Sequence, residues 1–229
     1  MNTTDMNTQE TLENGYQTLL LGYAAGNLDE AQNLIVATHL TFSERARQFV
    51  EDCEAMGGAL IETQCEPVAM QAEALNNVLD KLDAFTEHSG NTLEENLITP
   101  VDFDIPTPLK SSLRGDKHRK AQWNMLFPGM KAFDINLDCK ESVARFMKAD
   151  PGLKSPHHSH NGMEITLVLD GAFSDETGAY KRGDMIVTDD TCHHTPIACE
   201  TRGCTCLVVT SAPVKLHGIA SVLNPFLKR

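Results

Sequence analysis

The sequence lacks the signatures of several common protein classes. Its seven cysteines never occur as a Cys-x-x-Cys pair, which excludes a zinc ribbon, and their odd number favours reduced thiols over a disulfide framework. It also has no phosphate-binding loop, dinucleotide-binding glycine motif or Ser-His-Asp order. The sequence therefore gives no indication of a nucleotide-dependent enzyme or a serine hydrolase.

Long apolar runs are missing as well. The longest nearly uncharged apolar stretches, residues 16–26 and 33–40, are much shorter than the roughly 20 residues that a membrane span requires. Residues 1–10 carry no basic side chain ahead of an apolar core, which is unlike a secretory signal. We therefore expect a cytoplasmic protein without a membrane partner.

Basic residues are scarce in one half of the chain. The 229 residues have a net charge of −13, and such an acidic chain is a poor ligand for the phosphates of a nucleic acid. Residues 1–99 hold 17 Asp or Glu and 3 Lys or Arg, whereas residues 100–229 hold 15 and 16. This asymmetry predicts two modules with different partners and no direct binding of nucleic acid.

Residues 1–88 show the apolar spacing of helices. Leu19, Leu20, Tyr23 and Ala24 recur at intervals of three to four residues and are followed by Gly26, which is typical of a helix end. Acidic residues at positions 29 and 30 then open a second helix, which we expect to extend as far as position 56, where two glycines follow. A further amphipathic segment lies at positions 68–85. We predict a small domain of three or four helices.

Residues 89–112 have the composition of a linker. Turn-forming residues at positions 88–91 are followed by Pro100, Pro106 and Pro108, and these prolines prevent a long helix. We expect this segment to be semi-extended and partly ordered.

Residues 113–229 change to short strands separated by glycine-containing turns, which is typical of a β-sandwich or barrel. The fold class we predict is α+β, with a small N-terminal helical domain followed by an all-β domain. The predicted strands are 142–147, 165–169, 185–188 and 206–210.

Four residues of the β half have the types and spacing of metal ligands. Residues two apart on a strand share a face, so His158 and His160 can converge on one ion. A turn at positions 161–162 would let Glu164 return to that face, and His194 would come from a neighbouring strand. Three imidazoles and a carboxylate suit Zn²⁺, Fe²⁺, Mn²⁺ or Ni²⁺. The alternative is a histidine-rich surface turn.

These residues match a known pattern. The spacing Gly152-x5-His158-x-His160-x3-Glu164-x6-Gly171 resembles the first signature of the cupin superfamily. The second signature is matched at Gly183 and His194, but Asp189 and Thr191 replace its usual proline and second glycine. The resemblance implies a cupin, a jelly-roll-like double-stranded β-helix, at residues 113–229.

The resemblance extends to both modules. Residues 21–28 and 36–40 are similar to the helical half of ChrR-type anti-sigma factors, and residues 164–177 and 194–196 are similar to their cupin half. In that family the helical half holds an extracytoplasmic-function sigma factor of RNA polymerase inactive, and the cupin half is needed for its release under oxidative stress. The resemblance therefore implies a sigma-factor partner and a cupin that senses an oxidant or a small ligand.

One feature of that family is missing. Its helical half binds zinc through an upstream histidine and a His-x3-Cys-x2-Cys motif, but here His39 is followed by Ser43 and Ala46 and has no histidine before it. Serine and alanine cannot replace two thiolates. We therefore predict no zinc in the helical domain and treat His39 as an ordinary helix histidine at a vestigial ligand position. In the cupin site zinc is the metal we expect, with iron, manganese and nickel as alternatives.

The other histidines and cysteines near this site have weaker assignments. His157 and His193 point away from the ligands by strand parity, so we expect them to be exposed or to support the ligands. Cys192 lies two residues before His194. Cys204 and Cys206 share a strand face and are candidates for redox sensing, although buried free cysteines more commonly act as small apolar residues that fill a core.

Two further interpretations stay open. A cupin with this ligand set also fits a metal-dependent dioxygenase, and the loss of the zinc ligands fits a diverged homologue that no longer binds a sigma factor. The acidic helical half would then serve solubility or homodimer formation.

Overall fold

The computed structural model describes residues 3–88, 100–114, 122–139, 141–212 and 214–216, with only the backbone for residues 3–11, 83–88 and 214–216. Helices precede an antiparallel β-domain, as the sequence predicts. None of the described helices is long and apolar enough to cross a membrane. The helices are α1 (Thr3–Ala24), α2 (Glu30–Leu40), α3 (Glu44–Gln64), α4 (Ala74–His88) and α5 (Thr107–Ser112).

The β-domain contains two antiparallel sheets. The larger has eight strands in the order β1-β2-β3-β10-β5-β6, and β7 and β9 also pair with β5; the smaller has the order β11-β4-β8. The strands are β1 (Asn124–Phe127), β2 (Met130–Ile135), β3 (Val143–Ala149), β4 (His158–His160), β5 (Glu164–Asp175), β6 (Gly178–Lys181), β7 (Met185–Thr188), β8 (His193–His194), β9 (Ile197–Ala198), β10 (Cys204–Thr210) and β11 (Val214–Leu216).

The boundary between α1 and α2 follows the sequence closely. Helix α1 ends at Ala24, and Gly26 takes a left-handed φ of 68°, which glycine adopts without steric cost. Asp29 is the N-cap of α2. Its carboxylate accepts from the backbone N–H of Gln32 at 2.8 Å, and the side-chain oxygen of Gln32 accepts from the backbone N–H of Asp29. This reciprocal capping box satisfies two backbone donors that the helix itself leaves unpaired.

The predicted second helix is in fact two helices. Helix α2 ends at Leu40, and α3 begins at Glu44, because the Ser43 hydroxyl accepts from the Ala46 amide and caps a new helix. The prediction that Gly57 and Gly58 stop the helix is wrong, since both lie inside α3. Glycine costs only about 1 kcal/mol relative to alanine in a helix interior, which a helix of 21 residues tolerates.

The helices and the larger sheet share one hydrophobic core. Strands β5 and β10 direct Ile165, Leu167 and Leu207 toward the helices, where they pack with residues such as Leu20 and Ile35. The opposite face packs a second cluster inside the β-domain. Strand β10 is therefore almost wholly buried, which explains why its sequence is a continuous apolar run rather than an alternating one.

The described part of the expected linker contributes to this core. Residues 89–99 lie outside the described residues, but Ile105, Leu109 and Leu113 are fully buried. Helix α5 starts after Pro106, with Pro108 in its first turn, a position where proline is compatible with a helix. The segment is thus more ordered than the semi-extended connector we expected, and the domain boundaries at 88 and 113 stay predictions.

Candidate metal centre

Strands β4 and β8 bring the three predicted histidines together. His158 and His160 lie two residues apart on β4, and β8 pairs antiparallel to it with His194 opposite His158. A bend at residues 161–162 then leads into β5 at Glu164. The strand-parity argument therefore gives the correct face for all three imidazoles.

The Nε2 atoms of these histidines face one another. His194 Nε2 lies 3.1 Å from His160 Nε2 and 3.1 Å from His158 Nε2. The three residues form a group whose candidate ligand atoms all lie within 4.8 Å of one another. Both His160 and His194 are buried, and His158 is partly buried.

Each imidazole is oriented through its other ring nitrogen. His158 Nδ1 donates to the Pro156 carbonyl at 2.8 Å, and His194 Nδ1 donates to Asp175 Oδ2 at 2.7 Å. His160 Nδ1 lies 3.4 Å from Glu164 Oε2. A proton held at Nδ1 leaves the Nε2 lone pair available, which is how acceptors around a metal site fix the tautomer of its ligands.

The electrostatics favour neutral imidazoles at positions 158 and 160. Burial, together with the positive charge that a neighbouring His194 would carry, lowers the pKa of His158 and of His160 to about 4. With a proton at each Nδ1, the Nε2 lone pairs converge on one position, where a single cation can contact all three. Tetrahedral Zn–N bonds of about 2.0–2.1 Å place ligand nitrogens roughly 3.3 Å apart, close to the observed spacing. The site therefore fits a divalent metal.

Glu164 lies beside this group rather than within it. Its Oε1 accepts from the Thr166 hydroxyl at 3.3 Å, and its Oε2 faces His160. Burial raises the pKa of this carboxyl group, although potential positive charge on His158 and His194 acts in the opposite direction. A nearby cation would offset that cost of burial. Its predicted role as a fourth ligand stays a prediction.

Asp175 is a residue of this site that sequence reasoning missed. Burial alone would raise its pKa, but hydrogen bonds from His194 and Thr177 lower the pKa below the usual value. The carboxylate is therefore charged and holds His194 in the orientation just described. Strand parity from Glu164 would place Asp175 on the opposite face. The register of β5 against β10 shifts by one residue after Val168, and this bulge returns Asp175 to the inner face.

His157 and His193 lie on the other side of the small sheet. Their rings stack with centroids 6.1 Å apart, and His157 Nδ1 lies 3.1 Å from the Thr195 hydroxyl. Both are exposed. Their position agrees with the parity argument.

The chain was compared with known proteins. Residues 117–213 match the family described as the ChrR Cupin-like domain. Anti-sigma-E factor ChrR of Cereibacter sphaeroides is 33% identical over 211 residues, covering 92% of this chain and 95% of that protein. This chain belongs to the ChrR anti-sigma factor family.

A solved structure of a ChrR protein agrees with this assignment. A chain in the crystal structure of Rhodobacter sphaeroides SigE in complex with the anti-sigma ChrR is 32% identical, with a TM-score of 0.67 over 85% of this chain and 96% of that chain. An RmlC-like cupin from Ralstonia eutropha is 16% identical, with a TM-score of 0.41 over 48% of this chain and 76% of that chain.

His39, which the sequence places at a vestigial ligand position, contacts other protein groups through both ring nitrogens. His39 is 4% exposed, and its Nε2 lies 2.9 Å from the Tyr16 hydroxyl while its Nδ1 lies 3.1 Å from the Gly183 carbonyl. Ser43 caps α3, and Ala46 is buried. Both imidazole nitrogens are thus occupied by protein groups.

The candidate cysteines are buried. Burial raises the pKa of the Cys192 thiol to about 11, and the Cys204 and Cys206 sulfurs lie 3.4 Å apart in the inner core of the β-domain. The hydrogen bond with Cys204 makes the largest contribution to raising the pKa of the Cys206 thiol well above its usual value, and burial makes the second largest. These surroundings disfavour the reactive thiolate, and the redox role stays a prediction.

Proposed function

We propose that this chain is an anti-sigma factor. Its helical module holds an extracytoplasmic-function sigma factor of RNA polymerase inactive, and its cupin domain responds to an oxidant or a small ligand. Membership of the ChrR family supports this function, as does the similarity to a chain from the SigE–ChrR complex. Such a protein acts in the cytoplasm, where RNA polymerase works.

The observation that carries the proposal is an exposed apolar face on α3 and α4. Met56, Leu60 and Ile61 are exposed on α3, and Leu75, Val78 and Leu79 on α4. We call these six residues the apolar arm. On α4 the spacing of three and four residues aligns the side chains on one side of the helix. A cluster of large exposed apolar side chains marks a surface for a protein partner.

Charge supports the choice of partner. The helical half holds most of the acidic excess of the chain, and on α3 acidic residues such as Glu51, Asp52 and Glu54 are exposed or partly exposed near the arm. A sigma factor must present basic surface to DNA, so an acidic helical module with an apolar centre is complementary to it.

The cupin half is the proposed sensor. His158, His160 and His194 would hold a divalent metal through Nε2, with Glu164 as the fourth ligand and zinc as the ion. A metal bound there provides an electrophilic position for an oxidant or a small ligand. The residues around it keep the imidazoles neutral and oriented, and β5 connects the site to the core that it shares with the helices.

A matched pair of variants on α4 tests the anti-sigma function. Val78→Asp adds a carboxylate to the apolar arm, whereas Asn77→Asp adds one on the opposite side of the same helix. Tagged proteins would be purified from the native host, and co-eluting proteins identified by mass spectrometry. We expect the wild type and Asn77→Asp to retain a stoichiometric sigma factor and Val78→Asp to lose at least about 90% of it, because a charge would be buried unpaired at the interface.

One result would contradict the proposed function, and a second would contradict the role given to the apolar arm. The first is a wild-type protein recovered alone and loaded with metal, which would favour the cupin dioxygenase. The second is equal sigma-factor recovery with both variants, which would remove the apolar arm from the interface.

A further inference from the structure

His39 connects three parts of the molecule. It lies near the end of α2, contacts Tyr16 on α1, and contacts Gly183 in the turn between β6 and β7. The Gly183 partner is a backbone carbonyl, which can only accept. His39 Nδ1 therefore carries the proton and donates it to Gly183, and Nε2 accepts from the Tyr16 hydroxyl. A metal ion could reach this imidazole only by breaking one of these bonds.

The same turn also contacts Phe42, which lies two residues after the end of α2. Gly183 has a left-handed φ of 92°, and a Cβ placed on it would lie 3.1 Å from the Cβ of Phe42. The Arg182 guanidinium carbon lies 5.4 Å from the centre of the Phe42 ring, within the range of a cation–π contact. Residues 39–42 and 181–184 are thus joined by one hydrogen bond, one packing contact and one cation–π contact.

We propose that His39 is the positioning residue of a metal-independent joint that docks the helical module on the β6–β7 turn. The joint consists of Tyr16, His39, Phe42, Arg182 and Gly183. It uses protein hydrogen bonds at the position where the sequence lacks the thiolates needed for a metal. It holds α1 and α2 together and fixes both of them to the larger sheet through β7.

The joint also bears on the proposed function. Ser43, the N-cap of α3, follows Phe42 directly, so the joint sets the direction in which α3 and the apolar arm leave the β-domain. This consequence rests on the anti-sigma proposal. The joint itself does not, and its test uses the full-length protein without a sigma factor.

Amide hydrogen exchange tests the joint. His39→Ala removes both side-chain bonds, whereas His39→Asn retains a donor that can reach the Gly183 carbonyl. We expect about tenfold faster exchange of the peptide covering residues 181–187 in His39→Ala, because two buried hydrogen bonds are lost, and recovery of most of that protection in His39→Asn. A peptide covering β3 should exchange as in the wild type and shows that the fold is intact.

A second matched pair keeps the test valid if His39→Ala unfolds. Arg182→Ala removes the cation that lies on Phe42, and Lys181→Ala removes the neighbouring charge of the same turn. Exchange of residues 181–187 should be several-fold faster in the former than in the latter. The joint is refuted if the two variants exchange alike, or if His39→Asn and His39→Ala exchange equally fast. It is also refuted if a His158→Ala/His160→Ala/His194→Ala variant retains a metal that His39→Ala removes.

Discussion

The histidines at two places in this chain use their ring nitrogens differently. Around the cupin site, each of three imidazoles has its Nδ1 beside an acceptor and its Nε2 directed at the other two. At the end of α2, His39 has both nitrogens bound to other protein groups. Burial lowers the pKa of His39, of His158 and of His160, so burial alone does not distinguish the two places.

What distinguishes the two places is the group that the Nε2 atom of each imidazole faces. An Nε2 that faces two other Nε2 atoms is available to a metal ion, whereas an Nε2 that accepts from a tyrosine hydroxyl is already used. A buried histidine is therefore not in itself evidence for a metal. The hydrogen-bond partners of both nitrogens decide whether it can be a ligand.

The largest effect expected is on metal content. His158→Ala and His194→Ala should each reduce metal affinity by more than about a hundredfold, since a ligand is lost outright. His39→Ala should leave the affinity unchanged. Competition with a chromophoric chelator measures these values.

A matched control for these variants lies on the same strands. His157→Ala and His193→Ala change the imidazoles on the outer face of the small sheet, and both should bind metal like the wild type. Equal losses in the inner and outer variants would show that the strands, rather than the ligands, determine binding.

A smaller effect is expected from Asp175. Asp175→Asn keeps the size of the side chain but removes the charge that orients His194, and outer-sphere substitutions of this kind reduce metal affinity by about 10–100-fold. Asp170→Asn, on the same strand but paired with Arg202 at the surface, is the control. An unchanged affinity in Asp175→Asn, with the thermal stability of the metal-free protein unaltered, would show that His194 is oriented without this carboxylate.

The last prediction concerns the pH dependence of stability rather than metal affinity. The pKa values of His158 and His160 fall to about 4 in the folded protein, so an unfolded chain, with histidine pKa near 6.5, binds more protons below that pH. These histidines therefore do not reduce the free energy of unfolding of the metal-free protein above about pH 6.5. As the pH falls from there toward 4, the free energy of unfolding decreases by up to about 1.4 kcal/mol per pH unit for each histidine.

Urea unfolding of the metal-free protein at a series of pH values measures this loss. Alanine at positions 158 and 160 should weaken the dependence, and alanine at position 157 should not. A pH dependence that is identical in all these variants would contradict the assignment.

The sequence was sufficient for the parts of the site that depend on regular strand geometry. Period-two alternation on β4 is enough to pair His158 with His160 and to turn His157 away. It fails at Asp175 because the bulge in β5 after Val168 reverses the parity. Gly171, with a left-handed φ of 74°, is the one signal of an irregular strand there, but a glycine does not give the position or size of the register shift.

The helical half was predictable where capping residues define its boundaries and not elsewhere. Asp29 and Gly26 mark the turn between α1 and α2 in the sequence itself. The break between α2 and α3 depends on a single serine cap within a run whose apolar spacing continues. The contact of His39 with Gly183 joins residues 144 positions apart, which local sequence cannot indicate.

The position of bound metal tests the central comparison most directly. Crystals of the full-length protein, grown with the metal it contains on purification, would be measured at the absorption edge of that metal. The account predicts one anomalous peak per chain, within bonding distance of Nε2 of His158, His160 and His194, and none at His39. A peak beside His39, or none among the three histidines of a protein that contains stoichiometric metal, would contradict it.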